Sequence, residues 1–129
     1  MRIRSDQLTN TWYGWLVSAS FYAERSEHGI YRMGAVIIKN GKPIAAGFNK
    51  NRTHPRAKNY TRKIHAELDA LIGYRLPAEK ADIFVVRITN GGTMATSKPC
   101  RDCWILLKEA GLKTATYIDG NGVICREKL

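Results

Sequence analysis

The chain has 129 residues, of which 44% are hydrophobic, and it carries a formal net charge of +10. This length and apolar content suit one compact core, so we expect residues 1–129 to form a single domain. The sequence has no apolar run approaching the ~18 residues of a membrane span and no secretory signal pattern at its start, which argues against a membrane protein and predicts a cytoplasmic one.

The positive charge is concentrated in one segment. No Asp or Glu occurs between Glu27 and Glu67, whereas nine basic residues do: Arg32, Lys39, Lys42, Lys50, Arg52, Arg56, Lys58, Arg62 and Lys63. A clustered cationic field raises the local concentration of anions. The segment favours a nucleotide phosphate or a nucleic-acid backbone as ligand, although a merely solvated surface would have the same composition.

The first half of the chain predicts a helix followed by a β-hairpin. From Asn10 to about Arg25, apolar residues recur at three- and four-residue spacing, which is typical of a helix packed on a flat partner. The apolar runs 33–39 and 43–48 flank Asn40-Gly41, the preferred two-residue hairpin turn, and predict two antiparallel strands. Residues 49–63 lack apolar periodicity and predict a loop that carries much of the basic segment.

The second half predicts two helices that alternate with strands. A helix is expected from His65 to about Arg75, a buried strand over 82–89, a flexible connection over 90–98, and a helix opened by Pro99 and stopped at Gly111. After a strand at 114–118, Gly120-Asn121-Gly122 leaves room only for a tight turn, so residues 123–125 should pair with it antiparallel. The predicted order is α-β-β-α-β-α-β-β.

Two short motifs at predicted helix starts carry the chemistry, His65-Ala66-Glu67 and Pro99-Cys100-Arg101-Asp102-Cys103. Residues three apart lie on one side of a helix, so Cys100 and Cys103 can both face His65 and offer zinc two thiolates and an imidazole. Three protein ligands leave a fourth zinc position open for water, as in catalytic sites.

Glu67 and Cys125 have contrasting expected roles. Glu67 follows the predicted ligand His65 by two residues, close enough to act as a proton shuttle without binding the metal itself. Cys125 stands apart from both motifs and is expected to be an inert, semi-buried thiol.

Each motif alone is weak, but H-x-E followed by P-C-x-x-C is the signature of zinc-dependent nucleobase deaminases. From about Arg32 to Ile118 the chain resembles the cytidine and deoxycytidylate deaminase superfamily, including the run Arg32–Ile38 and Gly47-Phe48-Asn49. The resemblance implies a three-layer α/β fold, with a central five-stranded mixed sheet and helices on both faces. It also implies a zinc cofactor and a homo-oligomer.

The resemblance assigns roles to individual residues. Asn49 would contact the substrate sugar, and the backbone N–H of Ala66 would hold the oxygen that develops on C4 of cytosine. Carbonyls at Ser97-Lys98 would accept from the exocyclic amine, while Glu67 would protonate N3 and then the departing amine. The charge pattern adds Arg56 and Lys58 as candidates for binding a phosphate.

The expected function is hydrolytic deamination of cytosine to uracil, with release of ammonia, on a free nucleotide or nucleoside such as dCMP. The subfamily stays open, because the hairpin around Gly120-Asn121-Gly122 resembles free-cytidine deaminases, whereas those usually have Cys where this chain has His65. A second interpretation is deamination of cytosine or adenine in single-stranded DNA or RNA, with stacking by Tyr60 or Trp104. A third is a non-catalytic, zinc-stabilised nucleic-acid-binding module.

Overall fold

A computed structural model describes residues 2–3, 10–26, 31–50, 65–72 and 79–129. Within these ranges the chain forms β1 (Arg2–Ile3), α1 (Asn10–Ala23), β2 (Arg32–Lys39), β3 (Lys42–Phe48), α2 (Ala66–Ile72), β4 (Asp82–Ile88), β5 (Met94–Ala95), α3 (Arg101–Glu109), β6 (Thr114–Ile118) and β7 (Ile124–Lys128). The predicted order of helices and strands is confirmed, with two short strands added. None of the described helices is long and apolar enough to cross a membrane.

The strands form one mixed sheet in the order β1-β7-β6-β4-β2-β3, and β5 pairs with β4 beside this path. β2 and β3 are antiparallel, with Lys39 opposite Lys42 across the turn, and β6 and β7 are antiparallel as predicted. The turn residues Asn40 and Gly41 have φ of 52° and 74°, the positive values that this hairpin type requires. β4 and β6 are parallel, with α3 in the crossover between them.

Three details of the predicted strands need correction. The sheet contains the five predicted strands, but β1 and β5 enlarge it, and residues 94–95 form a strand where only a flexible connection was expected. β7 also continues to Lys128, beyond the expected end at 125. A strand of two residues is too short to show the alternation of buried and exposed side chains by which strands are predicted. β1 and β5 are strands only because they pair with β7 and β4.

The expected three layers arise because alternate residues of β2 and β4 face opposite sides of the sheet. Val36, Ile38, Phe84, Val86 and Ile88 pack in the core under α1. Ala35, Ile37, Ile83 and Val85 pack in the other core, which contains residues of α2 and α3. The face that carries α2 and α3 is called the site face below.

Helix α2 lies directly on β3 at Gly47. A Cβ atom at Gly47 would lie 2.4 Å from the backbone nitrogen of Ala70 and 2.8 Å from the carbonyl oxygen of Ala66. The backbone N–H of Phe48 donates to Asp69 on α2 at 3.0 Å, and Lys50 pairs with the same carboxylate at 2.7 Å. The start of α2 is therefore held against the end of β3.

Candidate active site

The starts of α2 and α3 bring the three predicted metal ligands together. Nδ1 of His65, the residue before α2, lies 3.5 Å from Sγ of Cys100 and 3.3 Å from Sγ of Cys103. These ligand atoms all lie within 4.8 Å of one another. A tetrahedral zinc with bonds of ~2.0–2.3 Å separates its ligand atoms by roughly 3.3–3.8 Å, so the arrangement fits this ion.

The two thiols and the imidazole already share protons through hydrogen bonds. The pKa of Cys100 is lowered to about 4, chiefly by its hydrogen bond with the Cys103 side chain, and also by one with His65. The Cys100–Cys103 hydrogen bond, together with burial, raises the pKa of Cys103, and the hydrogen bond to Cys100 raises the pKa of His65. A divalent cation binds such a cluster by displacing those protons.

Cys100 is also the N-cap of α3, where its Sγ accepts the backbone N–H of Cys103 at 3.4 Å. Pro99 precedes this cap and is buried, whereas it was expected to open the helix itself. The thiol of Cys100 thus lies at the positive end of the helix, which favours a thiolate.

Glu67 is buried beside this cluster. Its side chain is 2% exposed, and its Oε1 has no hydrogen-bond partner in the described part of the chain. Burial raises the pKa of Glu67. Because an unsatisfied buried carboxyl oxygen is costly, this atom calls for a polar partner such as water or a substrate N–H.

Ser97 holds the segment that leads to Cys100. Its hydroxyl donates to the carbonyl of Val85 at 2.8 Å and accepts the N–H of Ile118 at 2.9 Å, while its own N–H donates to the carbonyl of Ile118 at 2.8 Å. These bonds bridge β4 and β6 where the strands diverge. Ala66, fully buried, is the first residue of α2.

The side chain of Asn49 forms hydrogen bonds within the protein. Its Oδ1 accepts the N–H of Met33 at 2.9 Å and the hydroxyl of Ser26, and its Nδ2 donates to the carbonyl of Tyr31 at 2.6 Å. The side chain therefore joins the end of β3 to the start of β2, and its contact with a sugar stays a prediction.

Several residues singled out in the sequence are placed away from the ligands or lie outside the described residues. Arg56, Lys58 and Tyr60 lie outside, as does most of the basic loop. Trp104 packs in part against the core of the site face. Cys125 is buried, with its thiol 3.7 Å from a carboxylate oxygen of Asp119.

Arg87 is a candidate site residue that was not predicted from the sequence. It is the one charged residue inside the apolar run 83–88, and the alternation along β4 puts it on the site face with Ile83 and Val85. A charge interrupting a buried strand is the signal that could have identified it.

A family profile described as the cytidine and deoxycytidylate deaminase zinc-binding region matches residues 12–118. The chain belongs to this family. With the His-Cys-Cys group in place, it is a zinc-dependent hydrolytic deaminase. A comparison with curated proteins found no match.

Solved structures share the fold. The apo dCMP deaminase of the cyanophage S-TIM5 has a TM-score of 0.66 and 21% identity, over 88% of this chain and 86% of that one. The cytidine deaminase of Burkholderia pseudomallei has a TM-score of 0.64 and 20% identity, over 94% and 93%. A diaminohydroxyphosphoribosylaminopyrimidine deaminase/reductase of Thermotoga maritima has a TM-score of 0.53 and 24% identity over 81% of this chain, but only 28% of its own.

Proposed function

We propose that this protein hydrolyses the exocyclic amino group of cytosine in a free nucleotide or nucleoside, with dCMP as the favoured substrate. The observation that carries the proposal is the buried carboxyl of Glu67, with an unpartnered Oε1, beside three donor atoms spaced for zinc. In the S-TIM5 enzyme, solved in complex with dCMP and dUMP, those two ligands are the substrate and product of this reaction.

In this proposal His65, Cys100 and Cys103 hold the metal and Glu67 moves the protons. Zinc supplies, when bound, a Lewis acid that makes water a nucleophile near neutral pH. Glu67 takes one proton from the attacking water and delivers it to N3 of the base. It takes the second proton from the hydroxyl group now on C4 and delivers it to the amine, which leaves as ammonia while the oxygen remains on C4 as the carbonyl of uracil.

The other assignments concern binding of the substrate. The N–H of Ala66 would donate to the oxygen on C4, because the N–H groups of the first helical turn have no partner within the helix. The carbonyl of Ser97 would accept from the amine, Asn49 would contact the sugar, and Arg56 and Lys58 would bind a phosphate. The bonds that hold Ser97 to both neighbouring strands support a rigid position for its carbonyl.

A substrate panel tests the proposal. Zinc-loaded protein is incubated with cytidine, deoxycytidine, CMP, dCMP, adenosine and a short cytosine-containing oligonucleotide, and ammonia release is measured. We expect the highest kcat/KM on a free cytosine nucleotide or nucleoside. Release of ammonia from none of these compounds would contradict the proposed function.

A second candidate substrate is a base within single-stranded nucleic acid. One observation favours it. A cavity of about 600 Å³ next to Cys100 is lined by two cations, Lys98 and Arg101, together with Trp104, Ile105 and Glu127, whose carboxylate lies 4.0 Å from Lys98. Cations with an aromatic ring are a combination that binds single strands. Turnover of only the oligonucleotide, together with strongly salt-dependent binding, would select this candidate.

We also propose that the protein acts in the cytoplasm as a homo-oligomer. Helix α1 supports self-association, because the segment Asn10–Ala23 contains no charged residue and its Tyr13 and Phe21 are 53% and 59% exposed. In a chain of net charge +10, an uncharged aromatic face is where two copies meet with least repulsion.

A further inference from the structure

Arg87 lies in a row of residues that crosses the site face. In register it is opposite Met33 on β2 and opposite Ala95 on β5. Met33 is bonded through its backbone to Asn49, the residue after β3, at 2.9 and 3.2 Å. Ala95 belongs to the segment that leads to Cys100. Arg87 thus lies between the residue proposed to contact the sugar and the segment that carries a zinc ligand.

The charge of Arg87 is not neutralised by the described part of the chain. Its guanidinium makes no ion pair there, and its Nε is buried without a hydrogen-bond partner. The nearest residues in register, Met33 and Ala95, have no charge to offer. A partly buried cation with an unsatisfied donor is costly unless an anion or acceptor binds it.

The guanidinium also lies over an aromatic ring. Its central carbon lies 4.5 Å from the centroid of the Tyr31 ring. The carbonyl of Tyr31 in turn accepts from the side chain of Asn49. A contact of this kind uses the flat face of a guanidinium, whereas phosphate binds to its edge of N–H donors with two parallel hydrogen bonds, so the two contacts are compatible.

We propose that Arg87, whose guanidinium lies over the Tyr31 ring, binds the phosphate of the substrate and makes the enzyme selective for a nucleoside monophosphate over the nucleoside. This inference rests on the proposed function, and it adds a residue of the sheet to Arg56 and Lys58, the loop residues proposed to bind the same phosphate. Arg87 acts in binding and takes no part in proton transfer.

The test compares kcat/KM for dCMP and for deoxycytidine in the R87M variant and in a matched control, R32M. Arg32 is a partly buried arginine on neighbouring β2, also with an unpartnered Nε, but it lies on the face under α1, where it donates to the carbonyl of Thr89 at 2.9 Å. Both variants remove one guanidinium and its charge. The difference between them is the face of the sheet on which the arginine lies.

We expect the ratio of kcat/KM for dCMP over deoxycytidine to fall about 10- to 150-fold in R87M, the effect typical of a lost charged hydrogen bond, and to stay at the wild-type value in R32M. R87K, which keeps the charge but not the two parallel bonds, should fall in between. Inhibition by inorganic phosphate should weaken in R87M, a change that a merely structural role would not cause.

An unchanged ratio in R87M, or an equal fall in R32M, would overturn the assignment of Arg87. R87K preserves most of the side-chain volume. If R87M does not fold, the ratio of kcat/KM for dCMP over deoxycytidine in R87K tests the assignment instead. Wild-type protein that deaminates deoxycytidine as well as dCMP would remove this inference and leave the proposed function standing. Failure of the proposed function is a different result, wild-type protein that acts on no cytosine compound.

Discussion

The surroundings of Glu67 are energetically unfavourable for a carboxyl group that has no role in activity. It is buried, its pKa is raised by burial, and Oε1 has no partner among the described residues. Replacing such a group with an apolar one removes a desolvation cost, so its loss is expected to leave the fold intact. A residue that is required for activity but not for stability is typical of a catalytic acid or base.

We predict that Glu67→Ala retains zinc and fold but loses about 10²–10⁴-fold or more in kcat on the best substrate, because one group serves N3 and the departing amine. Glu67→Gln should behave alike, since an amide keeps the size but cannot carry the proton. Metal analysis, circular dichroism and ammonia release measure the three properties. Retention of zinc with more than ~10% of wild-type kcat would contradict the proton-transfer role.

At the scale of the helices and strands, the contact between α2 and β3 positions His65. The helix approaches so closely at Gly47 that only a residue without a side chain fits there. Asp69 adds hydrogen bonds from α2 to the end of the same strand. A shift of α2 moves His65 relative to α3 and therefore opens the metal site.

Gly47→Ala should therefore destabilise the protein by about 1–3 kcal/mol, as overpacking does, and lower zinc affinity at the same time. Gly120→Ala is the matched control, since a Cβ atom there has nothing within 4 Å. Urea unfolding and zinc titration of both variants measure the two effects. Equal stability of the two variants would show that α2 can move away from β3 without cost.

At the scale of the whole molecule, the proposed zinc ligands come from parts of the chain that are distant in sequence. His65 precedes α2, whereas Cys100 and Cys103 belong to the start of α3, and β4 and β5 lie between them. Metal that binds these ligands only when the helices are in place stabilises the folded state by mass action. We therefore expect the metal to stabilise the fold as well as to serve as a cofactor.

Removing zinc with a chelator should lower the free energy of unfolding, by about 4 kcal/mol relative to protein at free zinc a thousandfold above its Kd. Cys100→Ala and His65→Ala should lose metal and stability, whereas Cys125→Ala should keep its zinc. Thermal unfolding with and without chelator measures the difference. A chelator effect of the same size in Cys100→Ala as in wild type would argue against Cys100 as a ligand.

Local patterns in the sequence were sufficient for much of the fold. Helix α1, the hairpin at Asn40-Gly41 and the antiparallel pairing of β6 with β7 follow from periodicity, turn chemistry and the length of a connection, all properties of neighbouring residues. The grouping of Cys100 with Cys103 is equally local, because residues three apart share one side of a helix.

Other features depend on residues that meet only in the folded chain. The strands β1 and β5 exist through their partners, and the bonds of Asn49 to Tyr31 and Met33 join segments that the sequence separates. The register of β4 between β2 and β5 places Arg87 beside the path to Cys100. The sequence by itself determined which side chains could hold zinc and move protons. The tertiary structure alone decided what surrounds them, because strand pairing and helix packing join residues that no short pattern connects.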